Sequence, residues 1–270
     1  MNEAAAPIGV FDSGIGGLTV FAKIAESLPG ESIEYLGDTA RVPYGTKSPE
    51  TVIEYARGCA DVLLERGVKL LVIACNTASA VAVDLLREEL PVPVIGVVEP
   101  GARAAVRETR TGVIGVIGTP ATISSGVYND KIKALLPDAR VHSQACPLFV
   151  PLAEEGWVDG EIATAIARRY LEPLLRNDID VLVLGCTHYP LLARTIAEVA
   201  GPGVKLVDSA SETAIEVAAM LGADAASGPG RHAFLVTDAP ERFQRAGGAF
   251  LGHDIDNVSW INLHTCRTKM

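Results

Sequence analysis

Two cysteines stand in matching surroundings. Cys75 follows the apolar run Leu70-Leu71-Val72-Ile73-Ala74 and precedes Asn76-Thr77. Cys186 follows Asp180-Val181-Leu182-Val183-Leu184-Gly185 and precedes Thr187-His188. Each segment reads as a strand, a small residue, a cysteine, polar residues and then a helix. A helix N-terminus favours a thiolate and lowers its pKa. Such a thiol can serve as acid, base or nucleophile. A lone free cysteine is more often a small buried hydrophobe. Two at equivalent strand ends point to chemistry, because α/β sheets bind ligands beyond the carboxyl ends of their strands. The residues alone leave proton transfer and nucleophilic attack both open.

The other three cysteines offer less. Cys59 lies on the apolar face of a helix, Cys146 precedes Pro147, and Cys266 is in the C-terminal tail. We read all three as structural or incidental. Among polar residues, Asp12-Ser13-Gly14-Ile15-Gly16-Gly17 ends the first strand. Thr19 stands where a dinucleotide fingerprint needs its third glycine, and no Lys-Ser/Thr pair follows as in a P-loop. The loop is read as holding a small ligand, with Asp12 near its ammonium group and Ser13 as a donor. The plain alternative is a tight turn capped by Asp12.

Asn76, Thr77 and Thr187 can hold a carboxylate at a helix start or simply cap it. His188 is near enough in sequence to polarise Cys186. Glu154 by itself reads as a surface carboxylate. Tyr44 and Gly45 lie in a Pro/Gly loop that can contact a ligand or be merely exposed. Asp38 supports the site from behind or serves a turn.

The elements that must position these groups alternate. Strand-like runs are Ile8–Phe11, Ile33–Leu36, Lys69–Ala74, Val92–Val98, Val113–Ile117, Val181–Leu184 and Val204–Val207. They are short and rich in Val and Ile, as suits a parallel sheet buried on both faces. Helices are expected over Ser48–Arg66, Thr77–Glu89, Glu161–Glu172, Leu191–Ala200 and Ser211–Leu221. Ser48 is the expected N-cap of the first, with Pro49 at its first position. The alternation predicts a doubly wound α/β architecture. The repeated cysteine segment suggests two related lobes, each giving one thiol to a shared cleft.

Composition narrows the classes. The chain has 270 residues and a net charge of −10, so its overall field does not attract nucleic acid. No apolar run reaches the roughly 18 residues of a membrane span. Residues 1–7 lack signal-peptide features, so the expected location is the cytoplasm. The odd cysteine count and the absence of C-x-x-C or H-x-x-x-H spacing argue against a disulfide framework or a zinc site.

Taken together, the motifs resemble glutamate racemase. The matching stretches are FDSGIGGLTV from Phe11, GDTARVPYGTKS from Gly37, ACNTASA from Ala74, VIGVVEPGA from Val94, LGCTHYPLL from Leu184 and VDSA from Val207. They fall in the family's order over nearly the whole chain; residues 223–270 carry no usable motif. The resemblance implies two α/β lobes with mainly parallel sheets and the site in the cleft between them. The first would hold residues 1–97 and 209–270 with Asp12 and Cys75, and the second residues 98–208 with Glu154 and Cys186.

The resemblance also implies interconversion of L- and D-glutamate with no cofactor and no metal, for peptidoglycan precursors, in a homodimer. Cys75 and Cys186 are then the proton-transfer pair, Cys75 serving the D-enantiomer and Cys186 the L-enantiomer. Asp12, Asp38, Glu154 and His188 support them. The substrate contacts fall on Asp12, Ser13, Tyr44, Gly45, Asn76, Thr77, Thr187 and His188. Rival readings are a racemase of another amino acid such as aspartate, and a Cys/His thiol hydrolase that leaves one cysteine unused.

Overall fold

The structure, a computed structural model, describes residues 6–222, 226 and 228–263. Cys266 lies outside the described residues. The elements run β1 (Ile8–Asp12), α1 (Leu18–Ser27), β2 (Ile33–Gly37), α2 (Pro49–Glu65), β3 (Leu70–Ile73), α3 (Asn76–Glu89), β4 (Val94–Gly96) and α4 (Val98–Glu108). There follow β5 (Val113–Gly118), α5 (Pro120–Ser124), α6 (Val127–Leu135), β6 (Arg140–Ala145), α7 (Phe149–Glu154), α8 (Gly160–Leu175), β7 (Val181–Gly185), α9 (Ala193–Ala200) and β8 (Lys205–Asp208). The chain then continues through α10 (Ser209–Leu221), β9 (His232–Val236), α11 (Pro240–Leu251) and β10 (Val258–Trp260).

These strands form two sheets. One has six strands in the order β10-β9-β2-β1-β3-β4 and the other four in the order β6-β5-β7-β8. Every pairing in both is parallel. Parallel neighbours need long crossovers, and the helices supply them. Those helices cover both faces of each sheet. Ile8, Val10 and Tyr35 therefore pack in one core layer, and Phe11, Leu36 and Ile73 in the opposite one. The four-stranded sheet is likewise flanked by two clusters, one around Ile117, Leu182 and Leu184 and one around Ile114, Val181 and Val183.

The two orders share one plan. β2-β1-β3-β4 and β6-β5-β7-β8 each place the first strand centrally, the second on one side and the third and fourth on the other. The suspected repeat is thus real in topology, and Cys75 after β3 corresponds to Cys186 after β7. The central strand, flanked by crossovers that leave in opposite directions, is where such sheets open a crevice.

The expected α/β class and all seven expected strands are present. Three strands were missed. β6 (RVHSQA) is a polar edge strand without a buried apolar stripe. β9 and β10 lie in the segment read as featureless, although Phe234, Leu235 and Val236 are buried. Ser48 caps α2 as expected, accepting the Thr51 N–H. One local expectation fails: Cys186 does not open a helix. A short 3-10 turn, Tyr189–Leu192, intervenes, and α9 begins only at Ala193. Pro190 sits inside that turn, where it has no N–H to extend an α-helical ladder.

Glycines let the two sheet systems approach closely. A Cβ at Gly16 would collide with the His188 ring and the Thr187 hydroxyl. A Cβ at Gly45 would lie 2.5 Å from Thr119 Cβ and 2.8 Å from its Cγ2. Gly203, by contrast, faces open space. Gly45→Ala should therefore destabilise the fold by about 1–3 kcal/mol through overpacking. Gly203→Ala should change stability by at most about 0.5 kcal/mol. Urea unfolding of both variants checks this, and equal midpoints would contradict it.

Candidate active site

The site assembles from strand ends. Asp12 is the last residue of β1, Asp38 follows β2, Cys75 lies two residues beyond β3, and Cys186 follows β7. The parallel register Asp12↔Gly37 sets the first two side by side, and the Asp38 N–H donates to the Asp12 carbonyl at 2.9 Å.

The loop after β1 is wholly buried. Asp12 Oδ2 accepts the Gly14 N–H at 2.8 Å, so the turn-capping function is present. Tyr35 Oη donates to the Gly14 carbonyl at 2.9 Å and anchors the loop from below. The Thr187 hydroxyl donates to Asp12 Oδ1 at 3.5 Å, and the Thr19 hydroxyl to the Thr187 carbonyl at 3.3 Å. These bonds join the loop of one sheet to the cysteine segment of the other. Burial raises the Asp12 pKa, against the nearby His188 charge and the loop amides, which lower it.

Cys75 is the N-cap of α3 in extended conformation. Its thiol donates to Ser13 Oγ at 3.6 Å. The helix start was expected to lower its pKa. The Ala78 N–H does favour the thiolate, but burial dominates and the Asp12 carboxylate adds to it, so the pKa is pushed up to about 12. The Cys186 charge also raises it, so the two thiols lie within electrostatic reach of each other. Both retain 6% exposure, whereas Cys59 and Cys146 are sealed at 0%. All four thiols are therefore buried, and what distinguishes Cys75 and Cys186 is their place at equivalent strand ends.

Cys186 heads a row of three. His188 Nδ1 lies 3.8 Å from its Sγ, and His188 Nε2 lies 3.2 Å from Glu154 Oε1. Burial opposes charge on the imidazole, but the bonds to Cys186 and Glu154 outweigh it and raise the pKa to about 10. These two partners favour the imidazolium form. Its hydrogen bond in turn holds the Glu154 carboxyl below the usual range, with Arg242 of α11 3.4 Å from the other oxygen. Glu154, which looks like a surface carboxylate in sequence, is thus a partner of His188.

The first turn of α3 contributes donors rather than caps. Asn76 Oδ1 accepts the Tyr128 hydroxyl at 2.6 Å, while its Nδ2 is buried without a partner. A buried amide donor with no acceptor is costly, so it marks a place for an incoming acceptor. Thr77 Oγ1 meets Thr119 Oγ1 at 2.9 Å and Thr122 Oγ1 at 3.1 Å. Tyr44 and Gly45 form a short 3-10 turn with Thr46 and are buried, not an exposed loop. The Tyr44 hydroxyl donates to Asp38 in a short bond. A pocket of about 300 Å³ opens beside Gly45, Thr77 and Pro120.

Sequence reading missed Thr119, Thr122 and Tyr128. Thr119 follows β5, the strand equivalent to β1, so the repeat could have pointed to it. Tyr128 and Arg242 left no signal, because each reaches the site from the face of a distant helix. Among the described residues, no group of three or more His, Cys, Asp or Glu side chains is arranged to hold a metal ion, and no helix is long and apolar enough to cross a membrane.

The Asp/Glu/Hydantoin racemase family model matches residues 8–217. A glutamate racemase from Geobacter metallireducens is 54% identical over 260 residues, covering 95% of this chain and 96% of its own. The solved structure of glutamate racemase isoform RacE1 from Bacillus anthracis aligns with a TM-score of 0.92 at 42% identity, over 96% of this chain and 98% of that one. The Francisella tularensis glutamate racemase, solved in complex with D-glutamate, gives a TM-score of 0.91 at 38% identity, over 97% of this chain and 99% of that one. With the match spanning both sheets and both cysteine segments, the chain belongs to the Asp/Glu/Hydantoin racemase family, among its glutamate racemases.

Proposed function

We propose that this protein interconverts L- and D-glutamate by two-base proton transfer between Cys75 and Cys186. The observation that carries the reading is the placing of two thiols at equivalent strand ends of a repeated fold, beside the Asp12 loop. Two one-sided bases account for inversion. One thiolate removes the α-proton, and the opposite thiol delivers its proton to the other face. After one turnover the protonation of the two sulfurs is exchanged.

On this reading Cys186 takes the proton from L-glutamate, and Cys75, whose raised pKa keeps it a thiol, supplies the other. In reverse Cys75 takes the proton from D-glutamate. His188, oriented by Glu154, lies against Cys186 and exchanges a hydrogen bond with its sulfur. Asp12 faces the substrate ammonium. Asn76, Thr77, Thr187, Ser13 and the Tyr44-Gly45 turn hold the two carboxylates. These preorganised donors stabilise the carbanion as charge develops, with little reorganisation cost. No cofactor or metal is part of this scheme. The glutamate substrate, rather than aspartate, is supported by the named relatives. We further propose two lobes, residues 1–97 with 209–270 and residues 98–208, a homodimer, a cytoplasmic location, and supply of D-glutamate to peptidoglycan precursors.

One observation favours a second reading. Cys186, His188 and Glu154 stand in the order of a thiol-hydrolase triad. That reading leaves Cys75 idle, which decides the test. Incubation with pure L-glutamate in heavy water should yield D-glutamate carrying deuterium at the α-carbon. Cys75→Ala and Cys186→Ala should each abolish racemisation. Ester or amide turnover that survives Cys75→Ala would instead establish the hydrolase.

Asn76→Asp keeps the acceptor for Tyr128 but removes the unpartnered donor. It should raise KM for glutamate by about tenfold or more, and the buried new carboxylate should lower the thermal midpoint as well. An unchanged KM would remove Asn76 from the substrate contacts.

His188 gives a pH signature. Its ordinary pKa of 6.5 rises to about 10 in the fold, so the folded state holds the extra proton between those values. The associated stabilisation is complete below about pH 6.5 and is lost as pH rises through about 10. The stability gap between wild type and His188→Asn should shrink steadily over that range in urea titrations. A gap independent of pH would contradict the imidazolium.

A further inference from the structure

The C-terminal segment, silent in sequence, reaches the foot of the first sheet's strand ends through the Thr237 hydroxyl. β9 pairs with β2 in the register Gly37↔Val236, which sets the next residues, Asp38 and Thr237, side by side. Thr237 Oγ1 donates to Asp38 Oδ1 at 2.9 Å and accepts the Ala40 N–H at 2.8 Å. The Thr237 N–H donates to the Gly37 carbonyl at 3.2 Å, and its own carbonyl accepts the Trp260 indole N–H at 3.0 Å. The residue is thus held through both its backbone N–H and its carbonyl, and its hydroxyl has one orientation that satisfies both neighbours.

Asp38 is fully buried. Its carboxylate receives Thr237, the Arg41 guanidinium at 2.8 Å and the Tyr44 hydroxyl. Tyr44 is buried against Tyr55, with ring centroids 5.4 Å apart, and leads into Gly45, which packs against Thr119 of the other sheet system. A buried carboxylate is oriented only by its donors. Thr237 is the donor that comes from outside the 38–44 segment and fixes that carboxylate relative to the sheet.

We propose that Thr237 is a positioning residue: through Asp38 it holds the Tyr44-Gly45 turn in the conformation that receives substrate. This rests on the assignment of Tyr44 and Gly45 to the substrate under the proposed function.

Thr237→Val keeps the volume and the β-branch and removes both hydroxyl bonds. Thr237→Ser restores them and is the rescue. Two readouts are needed. Amide hydrogen exchange over residues 41–46 of the full chain, without substrate, reports the turn itself. Kinetics with L-glutamate report its use. In Thr237→Val, exchange over 41–46 should quicken about tenfold, and KM should rise about tenfold with a smaller change in kcat. Thr237→Ser should return both to near wild type.

The proposal is overturned if Thr237→Val exchanges and binds like wild type. It is equally overturned if the Val and Ser variants lose alike, with exchange rising across the whole sheet, since that is a purely structural role. If wild type fails to racemise glutamate, the proposed function falls. The exchange readout then decides by itself whether Thr237 holds the turn: local quickening with rescue by Ser supports it, and unchanged exchange overturns it.

Discussion

Parallel strand pairing is the constraint on which the rest depends. A parallel sheet cannot be closed by tight hairpins, so each strand is followed by a helical crossover, and both faces are buried as a result. All strands of a sheet then end on the same edge. Asp12, Asp38, Cys75 and Thr237 are gathered on one such edge, and Thr119 and Cys186 on the other. Residues as far as 199 positions apart become neighbours because their strands are neighbours. The same order, with a central first strand, is used in both sheets, and this puts the two cysteines in equivalent places.

Burial on both faces also sets the electrostatics. The site residues are buried, so each charged form must be sustained by specific partners. Cys75 has the favourable start of a helix and one amide, yet burial and the Asp12 carboxylate prevail and leave it a thiol. His188 is as deeply buried, but it has a partner at each ring nitrogen, and these prevail over desolvation. The contrast comes from the sign of the neighbouring charge, not from differing depth: the Asp12 carboxylate opposes a thiolate at Cys75 and favours the charged imidazole at His188. This asymmetry suits a proton relay whose two ends exchange roles.

The two sheet systems touch closely enough for such a relay because side chains are missing where they meet. Gly16 admits His188 and Thr187, and Gly45 admits Thr119. The chain's last described elements close the arrangement. β9 extends the first sheet beyond β2 and brings Thr237 to Asp38, while α11 carries Arg242 to Glu154 and Phe250 to the His188 ring, 5.6 Å between centroids. A segment without recognisable motifs therefore supports both sides of the site.

Much was determined by the sequence itself. Val- and Ile-rich runs broken by amphipathic helices can pack stably only as a parallel sheet covered on both faces, so the fold class and seven strands were legible. The repeated strand-cysteine segment singled out Cys75 and Cys186, and the apolar spacing around Cys59 marked it as core. Local pattern could not reveal contacts between distant segments. The polar edge strand β6 lacks the buried stripe that signals a strand, and β9 takes its place only by pairing with β2. The partners of Glu154, Asn76 and Asp38 come from α11, α6 and β9, and no spacing within the chain encodes them. The acidity of the Cys75 thiol was likewise a tertiary matter. Helix position predicted a lowered Cys75 pKa, but desolvation and the Asp12 charge arise only when separate segments are packed together, and they reverse its sign.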